Sequence, residues 1–223
     1  MNRTLHPALA CTVLCMAQAA VAQQRPENHL DSLPRAATST TTLVPIFSQL
    51  LVFSTPKDFR AAQETVRDNR YVQQSVPVGQ ALDRWNEMIT VTGDKEAATL
   101  PGVSPKKVAE NMARVFKQGC PDSFAAASFG PVKIERYDGF ATVFGCGLAD
   151  PGKTQSQTVM VVTIKGERDV YTLQWTEVGA PSKTPPTIDA KRWQDRLARI
   201  APVRLCTPVP GEVPPFPSCT QKR

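Results

Sequence analysis

The fold is decided by residues 133–177, which read KIERYDGFATVFGCGLADPGKTQSQTVMVVTIKGERDVYTLQWTE. Within and just beyond this stretch, segments 140–148, 157–164 and 170–178 alternate apolar and polar residues and are rich in β-branched and aromatic side chains, a pattern typical of strands. Turn residues separate the segments, and Tyr137-Asp138-Gly139 ahead of them is typical of a tight hairpin turn. The stretch therefore predicts an antiparallel sheet with one cysteine near its centre.

Two helices are predicted to cover this sheet, one over residues 105–118 and one over 190–200. Each begins after a capping residue, Ser104 in the first helix and Thr187 or Asp189 in the second. Apolar residues recur at helical spacing in both, which gives each helix one apolar stripe: Val108, Met112 and Val115 in the first, then Trp193, Leu197 and Ile200 in the second.

The chain upstream is predicted to add strands at 49–54, 71–76 and 84–92, and a short helix at 60–67. Alternation in the third strand places four residues on one face: Trp85, Glu87, Ile89 and Val91. Two further short strands are expected just before the deciding stretch and at its start: 123–129 and 132–136. This order of strands and helices predicts an α+β fold in which helices flank an antiparallel sheet.

The first 22 residues have the features of a secretory signal peptide. Arg3 gives a positive start, residues 9–21 form an uncharged and largely apolar run, and Ala20-Val21-Ala22 offers a small-residue cleavage site. We expect cleavage after Ala22 and no stable membrane insertion, because a spanning helix needs about 20 predominantly apolar residues. Lipid attachment at Cys11 or Cys15 is the alternative, but only ten residues precede Cys11, and Cys15 follows Leu14 rather than a small residue.

Three parts are expected after the signal peptide. Residues 23–47 contain prolines and a cluster of serine and threonine, and we predict that they are disordered or loosely ordered. Residues 48–200 form the α+β domain. Residues 201–223 contain six prolines and form a proline-rich C-terminal tail.

The composition is that of a globular domain with a modest positive charge. The hydrophobic share is 41%, and the formal net charge of +6 falls to +5 when Arg3 is removed with the signal peptide. The basic residues are scattered rather than gathered with aromatic residues in one stripe. The sequence therefore predicts no nucleic-acid partner.

Four cysteines remain after cleavage: Cys120, Cys146, Cys206 and Cys219. An even number of cysteines in an exported chain favours disulfide bonds, and four cysteines allow three connectivities. We favour Cys120–Cys146 and Cys206–Cys219, because each pair joins near neighbours and keeps the irregular tail out of the core. The spacing is unlike that of a zinc ribbon, and we predict neither a metal site nor a cofactor.

Few residues of the mature chain are suited to catalysis. His29 is the single histidine after cleavage and lies in the segment expected to be loose, which argues against Ser-His-Asp and Cys-His catalysis. No phosphate-binding glycine motif and no Cys-x-x-Cys motif occurs in the sequence. We predict that the protein is not an enzyme. A paired-carboxylate hydrolase is the alternative, with candidates in or near strands: Glu87, Glu135, Asp138 and Glu167.

Aromatic residues are the remaining candidates for binding. Trp85 and Trp175 lie in predicted strands, and Tyr71 and Tyr137 are candidates beside them. Tryptophan and tyrosine are favoured at binding surfaces because they join a large apolar ring to a polar group. An apolar cavity rimmed by Trp85 or Trp175 would indicate a ligand site, whereas burial would indicate core packing.

Four stretches carry a resemblance to a known fold: LVFSTPKDF at 51–59, RWNEMITVT at 84–92, SPKKVAENMARVF at 104–116 and VYTLQW at 170–175. Together they resemble the PsbP-like α/β/α sandwich, whose exported bacterial members include the DcrB-type lipoproteins. The resemblance covers about residues 48–200. It implies a fold only, so no functional residue is carried over.

These observations favour a non-enzymatic periplasmic or secreted accessory protein of a Gram-negative bacterium, which binds another envelope or secreted protein. In one version it neutralises a toxin, since immunity and inhibitor proteins are small, exported and chemically inert. The alternatives are a binder of a small envelope ligand and a paired-carboxylate hydrolase.

Overall fold

The computed structural model describes residues 28–149, 152 and 154–220. The predicted signal peptide and the alternative lipid-attachment residues Cys11 and Cys15 lie outside the described residues. The strands are β1 (Asn28–His29), β2 (Ser39–Ile46), β3 (Gln49–Pro56), β4 (Phe59–Arg67), β5 (Arg70–Pro77), β6 (Glu87–Asp94), β7 (Phe124–Ile134), β8 (Tyr137–Cys146), β9 (Ser156–Lys165), β10 (Val170–Gly179) and β11 (Arg204–Cys206). The α-helices are α1 (Pro105–Gly119), α2 (Ala190–Ile200) and α3 (Pro217–Thr220), and short 3-10 helices occupy Ala97–Thr99 and Pro121–Ser123.

The strands form two sheets. The large sheet has eight strands in the order β1-β7-β8-β9-β10-β6-β5-β4, and the small sheet has three in the order β11-β3-β2. Neighbouring strands are antiparallel except for β1 and β7, which run parallel. The predicted α+β class, with helices flanking a largely antiparallel sheet, is confirmed. The small sheet and the parallel pair were not predicted.

The main core lies between the large sheet, the small sheet and α2. β9 and β10 form the predicted hairpin, and Tyr171, Leu173 and Trp175 of β10 share one face with no solvent exposure. They pack in one cluster with residues of the small sheet, such as Leu51, and with Trp193 of α2. α2 begins at Asp189, whose side chain accepts a hydrogen bond from the N–H of Arg192 at 3.1 Å, as predicted for a capping residue.

The opposite face of the large sheet packs against α1. The helix is capped by the hydroxyl of Ser104, which accepts from the N–H of Lys107 at 3.3 Å. Phe116 of α1 packs on Phe144 of β8, with ring centroids 5.0 Å apart. The hydroxyl of Thr163 donates to the Pro105 carbonyl at 2.8 Å, which ties the start of the helix to β9. These contacts fix α1 over one half of the sheet, strands β7 to β9.

Four predicted elements differ in the structure. Residues 60–67 were predicted as a helix and form most of β4, because pairing with β5 supplies the backbone hydrogen bonds that a helix would otherwise make. The strands predicted at 123–129 and 132–136 are parts of one strand, β7, with a register shift between Ser128 and Gly130. The hairpin turn predicted at 137–139 lies two residues earlier: Ile134 pairs with Tyr137, and Glu135 in the turn has φ 54°.

The two ends of the described chain are more ordered than predicted. The segment expected to be loose, 23–47, contains β1 and β2, and Val44 and Ile46 of β2 are buried. Pro45 is tolerated because β2 is an edge strand. In the tail, β11 pairs with β3, and Cys219 is fully buried. None of the helices in the described ranges is long and apolar enough to cross a membrane.

Candidate functional site

Three of the four aromatic binding candidates are buried, and this corrects their assignment as contact residues. Trp175 has no exposure, Tyr71 has 3% and Tyr137 has 7%. The Trp175 ring packs 5.4 Å from Phe59, and the guanidinium groups of two α2 residues lie within 5 Å of its centroid: Arg196 at 4.9 Å and Arg199 at 4.8 Å. These residues stabilise the core.

Tyr137 belongs to a polar network between the two sheets. Its hydroxyl accepts from Gln49 Nε2 at 2.8 Å and from Arg136 at 2.8 Å, and donates to Glu167 at 3.0 Å. Burial raises the pKa of Tyr137, while hydrogen bonds from Tyr137, Arg136 and Thr207 lower the pKa of Glu167. The network keeps the β9–β10 turn attached to the small sheet, which is a structural role.

Trp85 is the candidate that the structure places at a surface cavity. It is half-buried and precedes β6, so it does not share the face of Glu87, Ile89 and Val91 as predicted. We call the cavity the helix–sheet groove, with a volume of about 620 Å³. It is lined by Arg70, Gln74, Trp85, Met88, Thr90, Asn111, Met112, Val115, Phe116, Phe144, Gln157, Val159, Gln174 and Thr176.

The helix–sheet groove exists because α1 covers only half of its side of the sheet. Its apolar wall is formed by Met112, Val115 and Phe116 of α1, together with Phe144 and Val159 below them. Its floor continues onto β10, β6 and β5, where uncharged polar side chains face the groove: Gln174, Thr176, Thr90 and Gln74. The groove therefore offers an apolar wall beside an uncharged, hydrogen-bonding floor.

The helix–sheet groove has a charged side chain at one place along its lining. Arg70 is the one charged residue among its lining residues, and its guanidinium pairs with Asp94 at 3.0 Å. Val115 is 61% exposed, which is unusual for an apolar side chain beside other apolar residues. The groove is thus suited to a neutral occupant with an apolar side.

The carboxylates considered for hydrolysis are each paired with a cation. Glu135 pairs with Arg204, Asp138 with Lys133 and Glu167 with Arg136. Glu87 lies opposite Glu177 in the β6–β10 ladder, and Arg196 binds both of them, at 2.8 Å and 2.6 Å. None of these carboxylates lines the helix–sheet groove.

Glu87 lies on the core face of β6 and is paired there, together with Glu177, by Arg196. Both lie under α2, and burial raises the pKa of Glu87, while the positive charge of Arg196 opposes this shift. Arg192 of α2 also pairs with Glu177. The two carboxylates therefore fix the position of α2 on the large sheet.

Asp169 is a buried carboxylate that sequence analysis missed. It is 1% exposed and accepts hydrogen bonds from the backbone and hydroxyl of Ser48, the N–H of Glu96 and the hydroxyl of Tyr171. Burial alone would raise its pKa, but these hydrogen bonds outweigh burial and hold the pKa of Asp169 below its ordinary value. It joins the β2–β3 turn to the large sheet. Its position next to Lys165-Gly166-Glu167 in a turn concealed this role.

The cysteines form the two pairs that the sequence analysis favoured. Cys120 bonds Cys146 with Cα atoms 5.9 Å apart, and Cys206 bonds Cys219 with Cα atoms 5.8 Å apart. The first bond attaches the end of α1 to β8, beside the helix–sheet groove. Among the described residues, no group of three or more His, Cys, Asp or Glu side chains could hold a metal ion.

Comparisons with known proteins find similarity to solved structures only. No protein-family model and no curated protein sequence matches the chain. Among solved structures, it is similar to the Ran-binding protein Mog1p of Saccharomyces cerevisiae, with 12% identity, a TM-score of 0.40, and 72% of this chain and 87% of that chain covered. It is also similar to LpqN, involved in cell envelope biogenesis of Mycobacterium tuberculosis, with 13% identity, a TM-score of 0.37, and coverage of 75% and 91%.

At these values the similarity carries no argument about partners or activity. The architecture rests on the strand order and register described above. The resemblance to PsbP-like sandwiches accordingly stays at the level of the fold.

Proposed function

We propose that this is a non-enzymatic, exported accessory protein of the cell envelope, which binds a segment of another protein in the helix–sheet groove. The observation that supports this most directly is the groove itself, where the exposed Val115 and the half-buried Trp85 line the same recess as several uncharged polar side chains. Apolar and aromatic side chains around a recess are typical of binding sites between proteins.

The apolar wall would supply most of the affinity. Met112 and Phe116 are only partly buried by the sheet, so a partner side chain placed against them would remove apolar surface from water. Met112 and Met88 can adapt to partner side chains of different shape, because methionine is unbranched and flexible. The wall favours an aliphatic or aromatic side chain.

The floor would supply orientation. Gln74, Thr90 and Gln174 carry donors and acceptors without charge, and these match the N–H and C=O groups of a peptide. A charged segment would lose its hydration in the groove without gaining a counterion, because Arg70 is already paired. The partner segment is therefore expected to be neutral and amphipathic.

Export is part of the proposal. The predicted signal peptide and the four cysteines in two disulfide pairs fit a protein of the periplasm or the extracellular space, since disulfides persist in oxidising compartments. A non-enzymatic role is supported by the groove, whose lining includes no carboxylate, histidine or cysteine. A toxin that reaches the envelope is one partner of this kind.

A small amphiphilic envelope ligand is the second candidate for the same groove. The observation that favours it is the volume of about 620 Å³, because pockets for small molecules commonly measure about 300–1,000 Å³. A free ligand would use the same apolar wall and the same uncharged floor.

The test compares two valines of equal exposure. Val115→Asp places a charge at the groove, and Val66→Asp places one on β4, where the valine is also 61% exposed. Each immobilised protein is incubated with periplasmic extract, and the bound proteins are eluted and quantified by mass spectrometry. We expect one partner to be recovered by the wild type and by Val66→Asp, and roughly tenfold less of it by Val115→Asp, because the charge would be desolvated at the interface.

Two results would contradict the proposal. If no protein is recovered, or if Val115→Asp recovers as much as the wild type, the groove does not bind a protein. Native mass spectrometry of the protein purified from its host separates the second candidate, since a retained small molecule lost in Val115→Asp would identify a ligand site.

A further inference from the structure

The outer edge of β2 is open in the part of the chain that the structure describes. β2 ends the small sheet, so one side pairs with β3 and no described strand pairs with the other. Thr40, Thr41 and Pro45 are exposed along this strand. The backbone groups on an open edge can pair with another chain.

Hydrogen bonds at the start of β2 show which backbone groups face outward. The N–H of Ser39 donates to the Ala36 carbonyl at 3.0 Å and its carbonyl accepts from Arg35 at 2.5 Å, so both groups of Ser39 point away from β3. In an antiparallel pair, the N–H and C=O of one residue point to the same side, and this side alternates along the strand. The outward orientation therefore recurs at every second residue: Thr41, Leu43 and Pro45.

The outward groups are two N–H donors and three carbonyl acceptors, because Pro45 lacks an N–H. The residues between them, Thr42 and Val44, direct their backbone groups to β3. Backbone donors and acceptors with this spacing can form hydrogen bonds with the backbone of another extended strand.

A cavity lies beside the same three residues. Its volume is about 490 Å³, and the side chains of Thr41, Leu43 and Pro45 form one wall. Opposite them stand residues of the C-terminal tail: Pro214, Pro215, Phe216 and Thr220. Residues directly opposite each other in paired strands extend their side chains to the same face. A strand paired with Thr41 and Leu43 would therefore place alternate side chains in this cavity.

The other long edge strand, β4, lacks this combination. It carries Arg60, Glu64 and Arg67, and it has a register shift between Ala61 and Gln63. Charges and bulges protect edge strands from pairing. β2 reads STTTLVPI, with no charge and an unbroken register against β3. Its protective features among the described residues are Pro45 and the contacts of Arg35 and Ala36 at Ser39. The part of β2 from Thr41 to Pro45 is therefore open to pairing in the described chain.

We propose that β2 binds an extended, uncharged segment of another protein, which pairs as a fourth strand of the small sheet and places apolar side chains in the cavity at alternate positions. Recognition by strand addition combines backbone hydrogen bonds for affinity with pockets for alternate side chains, and both parts are present here. The segment is uncharged because no side chain of β2 or of the cavity offers a counterion.

This surface is separate from the helix–sheet groove. The small sheet packs on one face of the large sheet, and α1 packs on the other. The inference therefore goes beyond the proposed function and does not depend on it.

Amide hydrogen exchange, followed by NMR on the full mature chain, tests the proposal. In the free protein, the amides of Thr41 and Leu43 should exchange faster than those of Thr42 and Val44, which are bonded to β3. The probe is a blocked peptide of alternating threonine and valine. Adding it should slow exchange at Thr41 and Leu43, while the same peptide N-methylated at alternate residues should leave exchange unchanged.

Two neighbouring threonines provide matched variants. Thr41→Lys puts a charge at the cavity and Thr40→Lys puts one on the other face of the same strand, and both residues are exposed. We expect Thr41→Lys to weaken peptide binding, measured by fluorescence anisotropy, roughly tenfold, because the cavity holds no counterion. Thr40→Lys should bind like the wild type.

Three results would overturn the proposal: no binding of such peptides with valine, leucine or phenylalanine at the alternate positions, protection that appears elsewhere than at Thr41 and Leu43, or equal affinity in the two lysine variants. Protection at these amides that grows with protein concentration in the absence of peptide would show that a second copy occupies the edge, and would also overturn it.

Discussion

The two faces of the large sheet are built from the same strands and differ in what covers them. On one face, Tyr171, Leu173 and Trp175 of β10 lie fully buried under the small sheet and α2. On the other, α1 covers β7 to β9 and leaves a half-buried floor that includes Thr90 and Gln174. The difference leaves one face of the large sheet closed and the other open beside α1.

The period of two along each strand is the physical reason for this division. Successive residues of β10 point to opposite faces, so Thr172, Gln174 and Thr176 alternate with the three core residues. Threonine and glutamine on this side of the sheet satisfy one another, as in the 2.9 Å hydrogen bond from Gln174 Nε2 to the hydroxyl of Thr172. An uncharged polar floor can therefore form hydrogen bonds either with water or with a bound molecule.

The largest expected effect on stability comes from replacing the tryptophan of each face with alanine, one variant at a time. Trp175→Ala should lower the free energy of unfolding by about 4 kcal/mol, because it removes a fully buried side chain and leaves a cavity. Trp85→Ala, at the rim of the helix–sheet groove, should lower it by less than about 1 kcal/mol. Urea unfolding followed by circular dichroism measures both. Equal losses would show that the two faces do not divide in this way.

The bond between Cys120 and Cys146 is expected to have the next largest effect, on the groove face. It closes a loop with a sequence separation of 26, for which chain entropy gives roughly 3.5 kcal/mol. Replacing both cysteines with serine should also speed amide exchange at the end of α1, next to the groove. The matched control replaces Cys206 and Cys219, and should leave exchange in α1 unchanged.

On the buried face, Arg196→Met should cost about 3 kcal/mol near pH 7, since it leaves Glu87 and Glu177 facing each other across the ladder. Burial already raises the pKa of Glu87, and loss of the Arg196 charge raises it further. A raised carboxyl pKa means that the native state binds the proton more tightly, so the variant should regain stability as the pH falls from 7 towards 5.

The control for this variant is Arg114→Met, on the exposed side of α1. It should change stability by less than about 0.5 kcal/mol at either pH. Thermal unfolding at pH 7.5 and at pH 5 compares the two variants, and a pH-independent loss in Arg196→Met would contradict the assigned role of the two carboxylates.

Asp169→Asn is expected to have the smallest of these effects, about 2 kcal/mol at pH 7, because the carboxylate accepts hydrogen bonds from Ser48, Glu96 and Tyr171. Its pKa in the folded state is lowered, so its contribution is present above the ordinary aspartate value of about 3.9 and is lost as the pH falls through the folded pKa. The difference between wild type and variant should therefore narrow below about pH 4.

Asp138→Asn is the matched control, because Asp138 is an exposed partner of Lys133. It should change stability by less than about 0.5 kcal/mol across the same pH range. A difference between Asp169→Asn and wild type that stays constant down to pH 3 would contradict the assignment of the hydrogen bonds to the ionised carboxylate.

Sequence patterns over a few residues predicted several elements whose backbone hydrogen bonds join residues close in sequence. The β9–β10 hairpin, α1 after Ser104 and α2 after Asp189 were predicted from alternation, spacing and caps. Residues 60–67 were predicted as a helix and form β4, although this pairing is also local. RAAQETVR has helix-forming residues, but the tight turn at Asp68 joins it to β5 as a hairpin. Of the candidate binding residues, Trp175, Tyr71 and Tyr137 are buried, while Trp85 lines the groove and its role in binding stays a prediction.

The sequence by itself determined the α+β class, the apolar stripe of α2 and the strands of the central hairpin, because each depends on neighbours a few residues away. The stripe predicted for α1 was wrong in part, since Val115 is 61% exposed and the helix packs on the sheet through Met112 and Phe116. Tertiary structure alone decided that the large sheet is half covered by α1, that β2 and β3 form a second sheet, and that Trp85 faces a groove and Trp175 the core. Those outcomes depend on which faces meet across long sequence separations. The alternation of residues along a strand determines the face of the sheet to which each side chain points, but not which element covers that face.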